Sequence, residues 1–167
     1  MRDLINKAEE YRLLVARHNR AHYLAAKQAE RMNTWLGVPV VVTTTAVGTT
    51  IFSTLSGNPD VRLKIGAGLL SLLAAVMASL QTFFKFSERQ QKHLQAGAQY
   101  GALRRRLEIF LLRYQDDQNH HREEVLHELE SLLEEVMQLE RESPNPPDYI
   151  YDYAKRELPF NGGKKTS

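Results

Sequence analysis

Two uncharged stretches divided by one tight turn set what this chain can fold into. No Asp, Glu, Lys, Arg or His occurs from Met32 to Pro59, and none from Ile65 to Phe84. The first stretch contains Trp35–Ser56. At 1.5 Å of rise per residue each segment makes a helix of about 30–33 Å, enough to cross a hydrocarbon core. Buried helices of soluble domains are usually shorter and carry charge at their ends. The pattern predicts an all-α membrane protein, a two-transmembrane helical hairpin with spans over 35–56 and 65–84 and an external turn over 57–64.

The Gly57-Asn58-Pro59-Asp60 sequence reverses the chain, so both termini fall on one side. Arg17, Arg20, Lys27 and Arg31 precede the first span, and Lys85, Arg89, Lys92 and Arg104 follow the second. The turn offers only Arg62 and Lys64. Eight cations against two place both termini in the cytoplasm. Trp35 at one boundary and Phe83, Phe84 and Phe86 at the other suit an interfacial aromatic belt.

A mean hydropathy of −0.43 hides these spans, because 25% of residues are charged and they lie outside the two stretches. Residues 1–34 carry net +3, 85–113 net +5 and 114–142 net −8. The small total of +2 is a cancellation of blocks. The absence of Cys excludes a disulfide framework, a thiolate metal site and a cysteine nucleophile. Residues 1–31 are charged throughout, which does not fit a cleavable leader.

Outside the spans the chain reads as helical. Leu4, Ala8, Tyr11, Val15, His18, His22, Ala25, Ala29 and Met32 step by fours and threes, a heptad seam on a cytoplasmic helix over 1–34. Pro39 is expected to kink or restart that helix near Asn33-Thr34. Ala96, Tyr100, Leu103, Leu107, Phe110 and Tyr114 form a second seam; Val125, Leu129, Leu132, Val136 and Leu139 form a third. The two differ in phase, which places a turn over Gln115–His121 within the cytoplasmic stretch 85–142. Ser143-Pro144-Asn145-Pro146-Pro147 ends these helices, and a short helix completes 143–158. Residues 1–158 read as a single domain, with 159–167 a disordered tail.

The first span is rich in hydroxyls. Thr45, Thr49 and Ser53 recur every four residues along one face, with Thr43, Thr50 and Thr54 beside it. Such hydroxyls bond back to the i−4 carbonyl, bond to another helix, or line water. If they line water, Thr45, Thr49 and Ser53 are the pore-lining candidates, and several copies must assemble, since two helices cannot surround a pore. The second span carries a small-residue stripe, Gly68, Ser71, Ala75, Ala78 and Thr82, suited to close helix packing within the hairpin or between copies.

Catalytic and metal chemistry find no footing. His18 and His22 stand at i, i+4 without a third ligand, among alanines on the seam, and read as a packed or solvated pair and not a metal site. The one Gly-x-Gly, Gly66–Gly68, lies inside an apolar helix and cradles no phosphate. Arg104, Arg105 and Arg106 form a basic run suited to an anionic ligand, to lipid, or to pairing with the acidic segment. No enzyme activity, no cofactor, no metal and no nucleic acid is expected.

Several segments together resemble a known family. A lead-in and Thr-rich span, "LVARHNRAHYLAAKQAERMNTWLGVPVVVTTTAVGTT", is followed by "KIGAGLLSLLAAVMASLQTFFKFSERQQKHLQAGAQYGALRRRLE", and the chain closes with "SPNPPDYIYDYAKREL". Over residues 5–158 this resembles the SLATT superfamily, the two-transmembrane effector domains associated with SMODS nucleotidyltransferases and SLOG sensors. The resemblance implies a membrane effector of a bacterial conflict or anti-phage system in the inner membrane. It would oligomerise into a pore or disrupt the bilayer, and cause death or arrest. It also implies a trigger elsewhere, either a nucleotidyltransferase-made second messenger or a separate sensor protein. Two other readings stand beside it: a membrane anchor presenting a helical bundle to a partner, and a membrane sensor that binds nucleotide through Arg104–Arg106.

Overall fold

The computed structural model describes residues 2–54, 61–114 and 122–159, without the side chains of 51–54. Five helices account for them: α1 Arg2–Thr54, α2 Val61–Phe84, α3 Phe86–Tyr114, α4 Arg122–Glu142 and α5 Asp148–Glu157. No strand occurs among the described residues, so the fold is all-α as expected. The expected turns at Gly57–Asp60 and Gln115–His121 and the tail beyond Pro159 lie outside the described residues.

Two compact units form, Met1–Ala26 with Gln91–Ser167, and Lys27–Gln90. The first unit is built from the three heptad seams. Val15 of α1, Leu103, Leu107 and Phe110 of α3, and Val125, Leu129, Leu132 and Val136 of α4 are buried in one cluster. Each fully buried side chain of this size contributes about 1.5–3 kcal/mol by leaving water. A second cluster joins α1 to α5 through Ala21, Ala25, Ile150 and Ala154. Pro144, Pro146 and Pro147 end α4, and the Pro147 carbonyl accepts the Ile150 and Tyr151 amides at 2.9 and 3.1 Å to start α5. The far end of α5 is tied to α1: Arg17 Nε donates to the Leu158 carbonyl at 2.9 Å, and Arg20 Nε to Glu157 Oε2 at 2.6 Å.

The second unit holds the apolar chain. Of α2, only Ala74 is buried among its described residues, and the leucines and valines around it are exposed. One described stretch, Val61–Tyr114, is long and apolar enough to cross a membrane. The stretch that begins at Trp35 runs past the described residues.

Two local features depart from expectation. The helix α1 contains Pro39 and runs through Asn33-Thr34 without restarting. Pro39 removes a single backbone donor, and an apolar surround offers the freed carbonyl no water to favour a break. The interruption falls at Lys85 instead, whose φ of 47° is left-handed. The i→i−4 ladder is kept on both sides, with Lys85 N donating to Gln81 O at 3.2 Å and Arg89 N to Lys85 O at 3.0 Å. A left-handed non-glycine residue costs about 1–2 kcal/mol, and no Gly or Pro advertises it in the sequence.

Candidate functional site

Within the second unit, α1 and α2 touch through a narrow set of residues. Leu36, Gly37, Val40 and Val47 are half-buried on α1, as are Ala67 and Met77 on α2. One polar bond crosses between them, Gln81 Nε2 donating to Asn33 Oδ1 at 2.9 Å. Gly37 makes room for it, since a Cβ there would stand 3.1 Å from Gln81 Nε2. This amide clasp was not foreseen. Its signal is two uncharged amides at the matching ends of the two apolar stretches.

The hydroxyls of α1 bond back onto their own helix. Thr45 Oγ1 donates to Val41 O at 2.8 Å, Thr49 Oγ1 to Thr45 O at 2.6 Å and Thr50 Oγ1 to Ala46 O at 2.8 Å. Thr45 and Thr49 are exposed, on the side away from α2, whereas Thr43 and Thr50 are half-buried. The side chain of Ser53 lies outside the described residues. On α2 the expected stripe divides. Ala78 is half-buried, while Gly68, Ser71, Ala75 and Thr82 are exposed. Ser71 and Thr82 bond back to Ala67 O and Ala78 O at 2.8 and 3.0 Å. Around Gly48, Gly66 and Gly68 nothing lies within 4 Å of where a Cβ would stand. The helix pair therefore leaves most of its small-residue surface unfilled.

In the first unit the basic run disperses. Arg104 Nε pairs with Glu108 of its own helix at 2.8 Å. Arg106 pairs with Glu135 of α4, and Arg113 with Glu128 at 2.9 Å. Arg105 is exposed and has no ion pair with a described residue. Three cations at successive helix positions point in three directions, so they do not converge on one anion.

His18 and His22 are seam residues, and of the packed and solvated alternatives the structure shows the packed one, against α3. His22 is 1% exposed, its ring lies against Tyr100 at 5.2 Å between centroids, and its Nδ1 is 3.0 Å from His93 Nδ1. Burial pushes the His22 imidazole down to about 4, with His93 and His18 adding to the shift. Burial lowers His18 as well, against the pull of Glu140 at 3.8 Å. Beside them α1 and α3 approach closely: Asn19 Nδ2 donates to the Gly97 carbonyl at 2.6 Å. No group of three or more His, Asp or Glu able to hold a metal occurs among the described residues.

Among the described residues the fold is all-helical with one exposed apolar span, the pattern of a helical membrane protein. Residues 8–163 match the SMODS and SLOG-associating 2TM effector domain family 4, and the chain belongs to that family. No curated protein and no solved structure matches the chain.

Proposed function

We propose that this chain is a non-enzymatic, two-span effector of a bacterial nucleotide-signalled conflict system. Its copies assemble in the inner membrane, with both termini cytoplasmic, and open a water path along α1. The observation that carries the reading is the outward placement of Thr45 and Thr49 while α1 uses its apolar side against α2. Polar groups at membrane depth belong against water or another helix. A ring of hydroxyls from several copies wets a passage that Val and Leu would leave dry. The unfilled space at Gly48, Gly66 and Gly68 gives further helices room to approach.

One observation favours an anchor without a pore. Thr45, Thr49 and Thr50 each donate to their own helix backbone, which lets such hydroxyls face lipid. Regulated expression in bacteria with a dye-leakage readout separates the two. Thr45→Val, Thr49→Val and Ser53→Ala together keep size and insertion, and under the pore reading they lower leakage and toxicity. Unchanged leakage in the triple variant favours the anchor. Reporters at Met1 and Ser167 read cytoplasmic and one at Asn58 reads external; termini on opposite sides would end the hairpin.

A further inference from the structure

In the first unit, α3 and α4 each turn one face to the core, pair with each other along one flank, and leave the opposite face bare. The bare face of α3 carries Arg105, Ile109 and Leu112, which step by four and three and so share a side. Ile109 is 56% exposed and Leu112 76% exposed. The bare face of α4 carries Leu126, Glu130 and Met137 at the same helical phase, with Leu126 38% and Met137 47% exposed.

Arg105 and Glu130 are among the charges that the fold leaves without an ion pair to a described residue. Arg104, Arg106 and Arg113 are all ion-paired within the subunit, and Arg105 pairs with no described residue. On α4, Glu128, Glu135 and Glu140 face Arg113, Arg106 and His18, whereas Glu130 pairs with no described residue. One bare face thus sets a cation at the head of two apolar residues, and the other sets an anion between two.

We infer that copies of this chain join head to tail, the Arg105–Ile109–Leu112 face of one copy seating on the Leu126–Glu130–Met137 face of the next. This rests on the assembly proposed above and names its cytoplasmic interface. A two-fold contact between α3 faces would bring Arg105 toward a second Arg105, and like charges in an apolar contact oppose pairing. A contact between α4 faces would do the same with Glu130. The opposite pairing sets Arg105 against Glu130 with apolar residues beside both. Because the two faces differ, the contact is heterologous, and heterologous contacts close into rings when the rotation permits. A ring is the symmetry a central path requires.

The test is charge exchange in the full chain, purified in detergent and sized by native mass spectrometry. Arg105→Glu and Glu130→Arg are each expected to reduce the assembly toward the 19.2 kDa single chain. The double variant carrying both is expected to recover it. Both sites are exposed, and unchanged helicity by circular dichroism shows that the singles still fold. The chain lacks native Cys, so Arg105→Cys with Glu130→Cys in one chain gives a ladder of cross-linked species under a short bis-maleimide. A two-fold pairing gives only dimers with either single cysteine. An oligomeric wild type whose mass survives both single reversals overturns this interface and leaves the assembly reading standing. A monomeric wild type overturns both.

Discussion

His22 Nδ1 stands 3.0 Å from His93 Nδ1, with both rings shielded from solvent. In such a pair one Nδ1 carries the proton and donates while the other accepts, so the two imidazoles hold opposite tautomers. A second proton on the pair removes the acceptor. The groups packed around it are His18 from α1, Tyr100 from α3 and, beside His18, Tyr151 from α5 and Glu140 from α4.

Acidification therefore weakens the first unit. The folded His22 sits at about 4 and the unfolded one near its ordinary 6.5, so the unfolded chain binds the proton first. Stability is full above about 6.5 and falls as pH drops toward 4, by on the order of 3 kcal/mol for a group shifted this far. Melting curves by circular dichroism in detergent between pH 7.5 and 4.5 should show the loss. His22→Gln should be less stable at pH 7.5 and visibly flatter with pH; an equal slope in the variant would refute the assignment.

The apolar cluster gives a different signature. Leu107 is 0% exposed at the centre of α1, α3 and α4. Leu107→Ala should cost about 2–5 kcal/mol through lost transfer and a cavity, with no change in pH slope. A loss under 1 kcal/mol would mean that the seams do not carry the fold.

Two glycines four residues apart on α3 should respond differently to alanine. A Cβ on Gly97 meets the Tyr23 ring at 3.4 Å, an ordinary contact, whereas one on Gly101 meets Asn19 Nδ2 at 3.0 Å. Alanine gains about 1 kcal/mol over glycine inside a helix. Gly97→Ala should keep that gain. Gly101→Ala should forfeit it by pushing the Asn19 amide from the Gly97 carbonyl. Equal melting shifts for the two variants would contradict the contact.

Lys85 tests the break between α2 and α3. Glycine adopts φ 47° without penalty, so Lys85→Gly should be neutral or stabilising by up to about 1 kcal/mol. Lys85→Val, branched at Cβ, should lose stability or straighten the junction. Its ion pair with Glu88, 3.6 Å and exposed, contributes little in either case. Stability falling more in the glycine variant than in the valine variant would exclude the left-handed conformation.

The helical elements and the buried seams were readable in the sequence because heptad spacing determines which side of a helix can leave water. Leu103, Leu107, Phe110, Val125, Leu129 and Val136 are all interior, as their phase requires. The family was readable from the ordered run of segments. Pairing was not. The spacing of Arg104, Arg105 and Arg106 suggests a cluster, and helical rotation scatters them among Glu108, solvent and Glu135. His93 lies seven residues before Tyr100 and shares its side of α3, yet its union with His22 depends on how two helices align. Lys85 was invisible because a left-handed turn at lysine follows from the surrounding helices and not from its own preference. The helix α1 runs on through Asn33-Thr34, so Pro39 does not restart it.

The two clusters of the first unit differ in what it costs to wet them. Separating α3 from α4 would bring Leu107, Phe110, Val125 and Val136 into water, each at about 1.5–3 kcal/mol. Separating α5 from α1 exposes chiefly the methyls of Ala21, Ala25 and Ala154 and a single isoleucine, Ile150. Amides of α5 should accordingly trade hydrogen for deuterium well before those of α3 and α4. Any molecule that grips the chain through this short helix has a small opening free energy to overcome, and the leucine-rich core stays shut while it does so.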